Sequence, residues 1–214
     1  MNQGIELFLK GGILIWPILL CSLTGTTIFF HQLLIFRTAR DRDAVSGRVL
    51  QLLEQGELSE AKKMLTSRVR HGKRQYSSAE VLLLEAISVF KSDRETLEFV
   101  LAHSVEREVN TLTGHMGIMA TAGNVAPLLG LLGTVFGMIK AFMAVENLGG
   151  RVNAAVLAGG IWEAMLTTAF GLVVAIPLIF FHSYLEGRLS IIQADLEELA
   201  VDLLKIWSRQ QKEA

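Results

Sequence analysis

Gly160-Ile161-Trp162-Glu163-Ala164-Met165-Leu166-Thr167-Thr168-Ala169-Phe170-Gly171-Leu172-Val173-Val174-Ala175-Ile176-Pro177 is the stretch that decides how this chain must be read. It is apolar almost throughout, yet it holds one carboxylate and two adjacent hydroxyls. It belongs to an apolar run over residues 154–185, about 48 Å long as a helix at 1.5 Å per residue. A bilayer's hydrocarbon core is about 30 Å thick and takes about 20 helical residues to cross. A helix of this length crosses it and must tilt or protrude.

Two further runs outward from this one meet the same length requirement, residues 117–145 and residues 12–36. Hydrophobic residues make up 51% of the 214 and charged residues 19%, and the charge falls between and after the apolar runs. That is a membrane layout, not that of a soluble domain. A formal net charge of −1 gives no general attraction to nucleic acid. The single cysteine, Cys21, excludes an intrachain disulfide framework and reads as an inert thiol inside an apolar run. The first run is too long for the apolar part of a signal peptide and no small-x-small site follows it, so we read it as a retained span.

Basic residues near the span ends set the orientation. Arg37, Arg40, Arg42 and Arg48 follow the first run, with Lys62, Lys63, Arg68, Arg70, Lys73 and Arg74 beyond. The short link between the second and third runs carries only Arg151, and Arg188, Lys205 and Arg209 follow the third. The expected fold is therefore an all-α membrane protein with three transmembrane helices and the N-terminus outside, helices two and three extending into a helical cytoplasmic region. Its parts are a periplasmic segment 1–11, helix one at 12–36, a cytoplasmic helical region 37–116, helix two at 117–145, a periplasmic turn 146–153 around Gly149 and Gly150, helix three at 154–185, and a cytoplasmic C-terminal helix 186–214.

The cytoplasmic region reads as amphipathic helices. Val49, Leu50, Leu52 and Leu53, then Leu58, Ala61, Met64 and Leu65, give two apolar faces separated at Gly56. Residues 73–78 read as a loop and residues 79–90 as a helix. Ser92-Asp93-Arg94-Glu95 has the form of a capping box, from which a helix is expected to run on into the second span, with Gly114 and Gly117 as weak interruptions. Leu189, Ile192, Leu196, Leu199, Leu203 and Ile206 continue helical spacing beyond the third span.

The three spans differ in character. The first is bulky and apolar, with Trp16 as an interfacial anchor, and reads as lipid-facing wall. In the second, Gly123, Pro127, Gly130, Thr134 and Gly137 recur every three or four residues, and Gly133 and Gly137 form a Gly-x-x-x-Gly. In the third, Gly160, Ala164, Thr168, Gly171 and Ala175 fall within about 80° of arc. Small faces let helices approach closely in lipid, so helix association alone accounts for the glycines. It accounts less well for the polar groups. Glu163 lies about 13 Å into the third span. An acid at that depth costs about 2.5–3.5 kcal/mol unless protonated, paired or hydrated, and intramembrane ionisable groups are functional candidates by default. Thr134, Thr167 and Thr168 can each satisfy a hydroxyl on their own helix, so each alone is weak evidence. Lys140 can snorkel from the outer end of the second span, and Pro177 is expected to kink the third or free a carbonyl.

Residues 126–138, Ala-Pro-Leu-Leu-Gly-Leu-Leu-Gly-Thr-Val-Phe-Gly-Met, resemble the second-span signature of the MotA/TolQ/ExbB proton-channel family. Residues 160–172, followed by Ala175-Ile176-Pro177, resemble its third-span signature. Three spans resemble the ExbB/TolQ branch more than the four-span flagellar branch. The resemblance implies a homo-oligomeric ring, typically a pentamer, around two copies of a one-span ExbD/TolR-like partner whose membrane Asp carries the proton. It implies that Thr134, Thr167 and Thr168 line the proton path together with Glu163, the family's third-span acid. It implies that Gly123, Pro127, Gly130, Gly133, Gly137, Gly160, Gly171 and Pro177 serve helix packing. The chain would then be a stator subunit in the bacterial inner membrane, coupling proton flow to work on a TonB/TolA-like periplasmic effector, as in TonB-dependent transport. A TolQ-like envelope-maintenance stator, a gliding-motor stator and a non-conducting scaffold are the alternatives. An enzyme is not expected. His31, His71, His103, His115 and His182 are scattered, no metal-ligand spacing or nucleophile–base set appears, and no cofactor is called for.

Overall fold

The computed structural model describes residues 12–39, 45–69, 77–147 and 154–213. Segment 1–11, expected from sequence in the periplasm, the expected turn at Gly149 and Gly150, Arg40, Arg42, Arg70, Lys73, Arg74, Arg151 and His71 lie outside them. Among the described residues the elements are α1 (Ile15–Ala39), α2 (Val45–Glu54), α3 (Leu58–Val69), α4 (Ser78–Val89), α5 (Arg94–Thr113), α6 (Met116–Asn147) and α7 (Ala154–Glu213). Three of them, α1, α6 and α7, are long and apolar enough to cross a membrane. All described secondary structure is helical, as the sequence leads one to expect.

The chain divides into two compact units. One is formed by the chain up to His31, by α6 and by α7 as far as Leu185. Here α6 and α7 run antiparallel, with Gly123 beside Leu178, Gly130 beside Thr168 and Gly137 beside Ala164. α1 runs in the same direction as α7. Gly12 lies beside Glu163, Gly25 beside Leu178, and the rings of Phe29 and Phe181 stack with centroids 4.1 Å apart. The outward faces are apolar and exposed, including Leu20, Leu23 and Phe30 on α1, Leu131, Val135 and Phe142 on α6, and Trp162, Val173 and Phe180 on α7. Water does not stabilise such surfaces, whereas lipid does. α7 remains one helix through Pro177, which lacks the amide that residue 173 would otherwise bond.

The second unit holds residues 32–114 and the chain from Glu186. Gly56 separates α2 from α3 as the apolar pattern indicates, and the closure is a Schellman turn. The Glu57 amide donates to Leu52 O at 2.9 Å, the Gly56 amide donates to Leu53 O at 3.1 Å, and Gly56 takes φ +80°. Val49, Leu53, Ala61 and Leu65 are fully buried. Leu189, Ile192, Leu196, Leu199, Leu203 and Ile206, the stripe noted beyond the third span, are buried too.

Two local readings need correction. The cap of α5 is Asp93, not Ser92: its carboxylate accepts from the Thr96 amide at 3.0 Å and from Thr96 Oγ1 at 2.7 Å. A carboxylate is at least as good a cap as a serine hydroxyl, and it fits one residue later. The capping box occurs instead at the start of α4, where Ser77 and Glu80 bond each other's backbone amides. Nor does α5 continue unbroken into α6, since Gly114 and His115 form a turn between them. In an uninterrupted helix the Leu112 carbonyl would accept from residue 116. Here it accepts from Nε2 of the buried Gln32, and Gly at position 114 lowers helix stability at that point.

α4 and α5 are joined by a polar cluster. Ser104, fully buried, and Arg107 both donate to the Glu85 carboxylate. Partial desolvation works against the Glu85 carboxylate, but the Ser104 and Arg107 hydrogen bonds and the Arg107 charge outweigh it, so its pKa lies below the ordinary value. Glu108 is shifted upward, chiefly by burial. The signs are opposite. Glu85 contributes stability above the ordinary carboxylate pKa, about 4.3, and that contribution is lost as pH falls through its lower folded value. Glu108 contributes below its raised folded value and loses that contribution as pH rises through it. Acidification from neutral pH is expected first to tighten and then to loosen the α4–α5 pair. Amide hydrogen-exchange protection of α4 and α5 in the whole chain, corrected for intrinsic rates, reads this out. Glu108→Gln removes the first phase and Glu85→Gln the second, and a profile unaltered by both substitutions refutes the assignment.

Candidate functional site

Close backbone approach builds the site. A Cβ added at Gly130 would lie 3.0 Å from Thr168 Cα. One at Gly137 would lie 2.7 Å from Ala164 Cβ, one at Gly160 would lie 2.6 Å from Ala141 Cβ, and one at Gly171 would lie 2.6 Å from the Ala126 carbonyl oxygen. One at Gly133 would run into the Thr167 side chain, while Gly123 has looser contacts with Leu178 and Ile179. Each step of three or four residues up α6 is therefore matched by a similar step down α7. The seam on α6 is Gly123, Ala126, Gly130, Gly133, Gly137 and Ala141, all buried. Pro127 and Thr134 stand at its edge, half-buried, and Pro177 lies on an exposed face of α7.

The polar groups of the two helices separate into two sets. Thr168 Oγ1 donates across the seam to Gly130 O at 2.9 Å. Thr134 Oγ1 donates to Leu131 O of its own helix at 2.6 Å. Thr167, 2% exposed, donates to Glu163 O at 3.0 Å. Glu163 and Thr167 border a cavity of about 80 Å³ together with Gly133, Gly137, Lys140 and Gly12, and neither Thr134 nor Thr168 belongs to its lining. So within one chain the structure brings Glu163 to Thr167 and keeps Thr134 and Thr168 apart from it.

Two contributors to the cavity were not singled out as site residues from sequence. Lys140 Nζ stands 3.4 Å from Glu163 Oε1. An unpaired lysine or carboxylate in a span costs about 2.5–3.5 kcal/mol at the bilayer centre, so opposite charges on neighbouring helices relieve each other. The signal was present in the spacing: Lys140 follows Gly133 and Gly137 by the same three-or-four rhythm. Gly12, at φ +74°, is the second contributor, and a Cβ there would come within 2.9 Å of Glu163 Oε1. Hydropathy placed it only at the edge of a span. The histidines are not all scattered, since the rings of His31 and His115 meet edge-on with centroids 6.0 Å apart. Among the described residues no three His, Cys, Asp or Glu side chains converge on a metal position.

The MotA/TolQ/ExbB proton channel family matches residues 59–198. The biopolymer transport protein ExbB of Salmonella typhimurium (strain LT2) is 30% identical over 201 residues, covering 90% of this chain and 79% of the relative. The ExbB of Xanthomonas campestris pv. campestris (strain B100) is 38% identical over 112 residues, 52% of this chain and 44% of the relative. The Tol-Pal system protein TolQ of Haemophilus influenzae is 34% identical over 107 residues, 50% of this chain and 46% of the relative.

Proposed function

Because this chain belongs to the MotA/TolQ/ExbB proton channel family, we propose that it is a stator subunit of a proton-motive-force-driven motor in the bacterial inner membrane. Copies of the chain form a ring, a pentamer by family resemblance, around a one-span ExbD/TolR-like partner whose membrane Asp carries the proton. The N-terminus and the link between α6 and α7 lie in the periplasm, and the second unit lies in the cytoplasm. Arg37, Arg48, Lys62, Lys63 and Arg68 after α1 and Arg188 after the third span support that orientation. The work is delivered to a TonB- or TolA-like periplasmic effector. The ExbB name of the Salmonella typhimurium relative, which this chain covers to 79%, favours energised transport, and the TolQ relative keeps envelope maintenance as the second reading.

The observation that carries the proposal is a carboxylate inside two closely packed apolar helices. Glu163 sits beside Thr167 and Lys140 on the glycine seam of α6 and α7. A scaffold needs the seam but not the ionisable pair, whose placement in a span is a functional signal. Glu163, Thr167, Thr134 and Thr168 line the proton route in the assembled ring, and the glycines and prolines hold its geometry.

The joint variant Thr134→Val and Thr168→Val tests this. Valine keeps the volume and removes both hydroxyls. Energised function is expected to be lost while the native mass of the complex with the one-span partner stays unchanged. Full proton coupling in that variant, or failure of a one-span protein with a membrane Asp to copurify with the wild type, rejects the stator reading in favour of a scaffold.

A further inference from the structure

We propose that Lys140 is a positioning residue: it holds Glu163 as an ionised carboxylate fixed beside Thr167, so that Glu163 serves as a standing negative charge and not as the proton carrier. The inference rests on the proton-path reading of these helices and assigns Glu163 its part in it.

The geometry restrains this carboxylate from two helices and from the segment that leads into α1. Its own backbone belongs to α7, close to the Gly137–Ala164 contact. From α6, Lys140 reaches Oε1 at 3.4 Å. From the segment just before α1, Gly12 packs so near the same oxygen that a single added carbon would be 2.9 Å from it. The cavity left around these groups is about 80 Å³, enough to admit water, which needs at least about 10–15 Å³. Lys140 and Glu163 are the only charged side chains among its described lining residues. The Glu163 side chain is 33% exposed and that of Lys140 65% exposed.

Charge bookkeeping then separates two roles. A proton carrier alternates between neutral and charged forms. If Glu163 took up the proton, Lys140 on α6 would be left as an uncompensated cation, at the cost that pairing removes. With both groups ionised the site is neutral overall, and the low-dielectric surroundings strengthen their attraction. The pair therefore favours one charge state instead of cycling between two. A fixed negative charge on the seam can still attract a positive charge passing nearby without accepting it. Lys140 does not touch the transferred proton in this scheme, and it acts through Glu163.

Infrared spectroscopy of the full chain, purified as its native assembly in lipid nanodiscs at pH 7, tests this. The Glu163 band is assigned by its loss in Glu163→Gln. The wild type is expected to show Glu163 as a carboxylate. Lys140→Gln is expected to convert it to the protonated carboxyl form, and Lys140→Arg to keep the carboxylate, an electronic signature that a packing role alone would not move. A protonated Glu163 in the wild type overturns the proposal, as does a carboxylate band indifferent to Lys140→Gln in an intact assembly. Because the wild-type charge state is read directly, a Lys140 variant that fails to assemble does not shelter the proposal. The two readings also fail separately. Loss of coupling in Glu163→Gln with a protonated wild-type Glu163 overturns the proposal and leaves the stator reading standing. A Lys140-dependent carboxylate with coupling unchanged in Glu163→Gln supports the pair and overturns the stator reading.

Discussion

Glu163→Ala is expected to abolish energised function while leaving the protein assembled. The substitution removes the only carboxylate among the described residues that line the cavity between α6, α7 and the segment leading into α1, and it leaves Lys140 without its partner. The helix itself loses nothing locally, since alanine is the best helix former, and the seam contacts run through Gly137, Ala164, Thr167 and Gly133, not through the Glu163 carboxylate. The damage is electrostatic. Removing one preorganised charge-stabilising group from a transfer site typically costs on the order of 10²–10³ in rate. Proton uptake into energised vesicles holding the complex should fall by at least that order, with the native mass unchanged. Wild-type uptake in this variant sinks the claim that the pair belongs to a proton route.

Gly171→Val should be the most damaging packing change. Any Cβ at this position would sit 2.6 Å from the Ala126 carbonyl oxygen and 3.2 Å from Gly130 Cα. Both are backbone atoms, so no side chain can swing aside and the two helices must separate. Overpacking costs about 1–3 kcal/mol where side chains can adjust, and here the cost should reach or exceed the top of that range. Separation also lengthens the bond from Thr168 to the Gly130 carbonyl. Gly159→Ala on the same helix is the control, because a Cβ there meets nothing within 4 Å. Thermal unfolding in mild detergent should show a large loss of stability for Gly171→Val and none for Gly159→Ala. Equal stabilities for the two variants would contradict the seam.

How much of this could be read in the sequence depends on what each signal encodes. Hydropathy over some 20 residues reports burial in lipid directly, so the three helices long and apolar enough to cross a membrane were legible. Gly56 between two short apolar faces was legible as well, because few residues other than glycine take φ +80° readily. The rotation of the seam was legible only to about one residue. Small residues at 130, 133, 134, 137, 164, 167, 168 and 171 permit two neighbouring faces. Backbone approach selects the one that puts Gly133 inside and Thr134 at the edge, since a threonine there would hold the helices apart. On α7 the same choice buries Thr167 and leaves Thr168 half-buried, free to reach the opposite carbonyl. The Lys140–Glu163 pair escaped because its partners are 23 positions apart, and only the antiparallel register shows that they meet. The break at Gly114 and His115 escaped for a similar reason, since the group that takes the Leu112 carbonyl is Gln32, 80 positions away.

The seam also has a genetic consequence. A glycine codon can mutate by one base only to residues that carry a Cβ, so no missense change at Gly130, Gly133, Gly137, Gly160 or Gly171 restores the room that the opposite helix occupies. Leucine, valine and isoleucine codons on the outward faces, by contrast, interconvert by single changes among residues of similar size. Random mutation therefore meets a protein whose most vulnerable positions are its smallest ones, and loss-of-function alleles should fall as a helical stripe of glycines within spans whose bulkier residues drift freely.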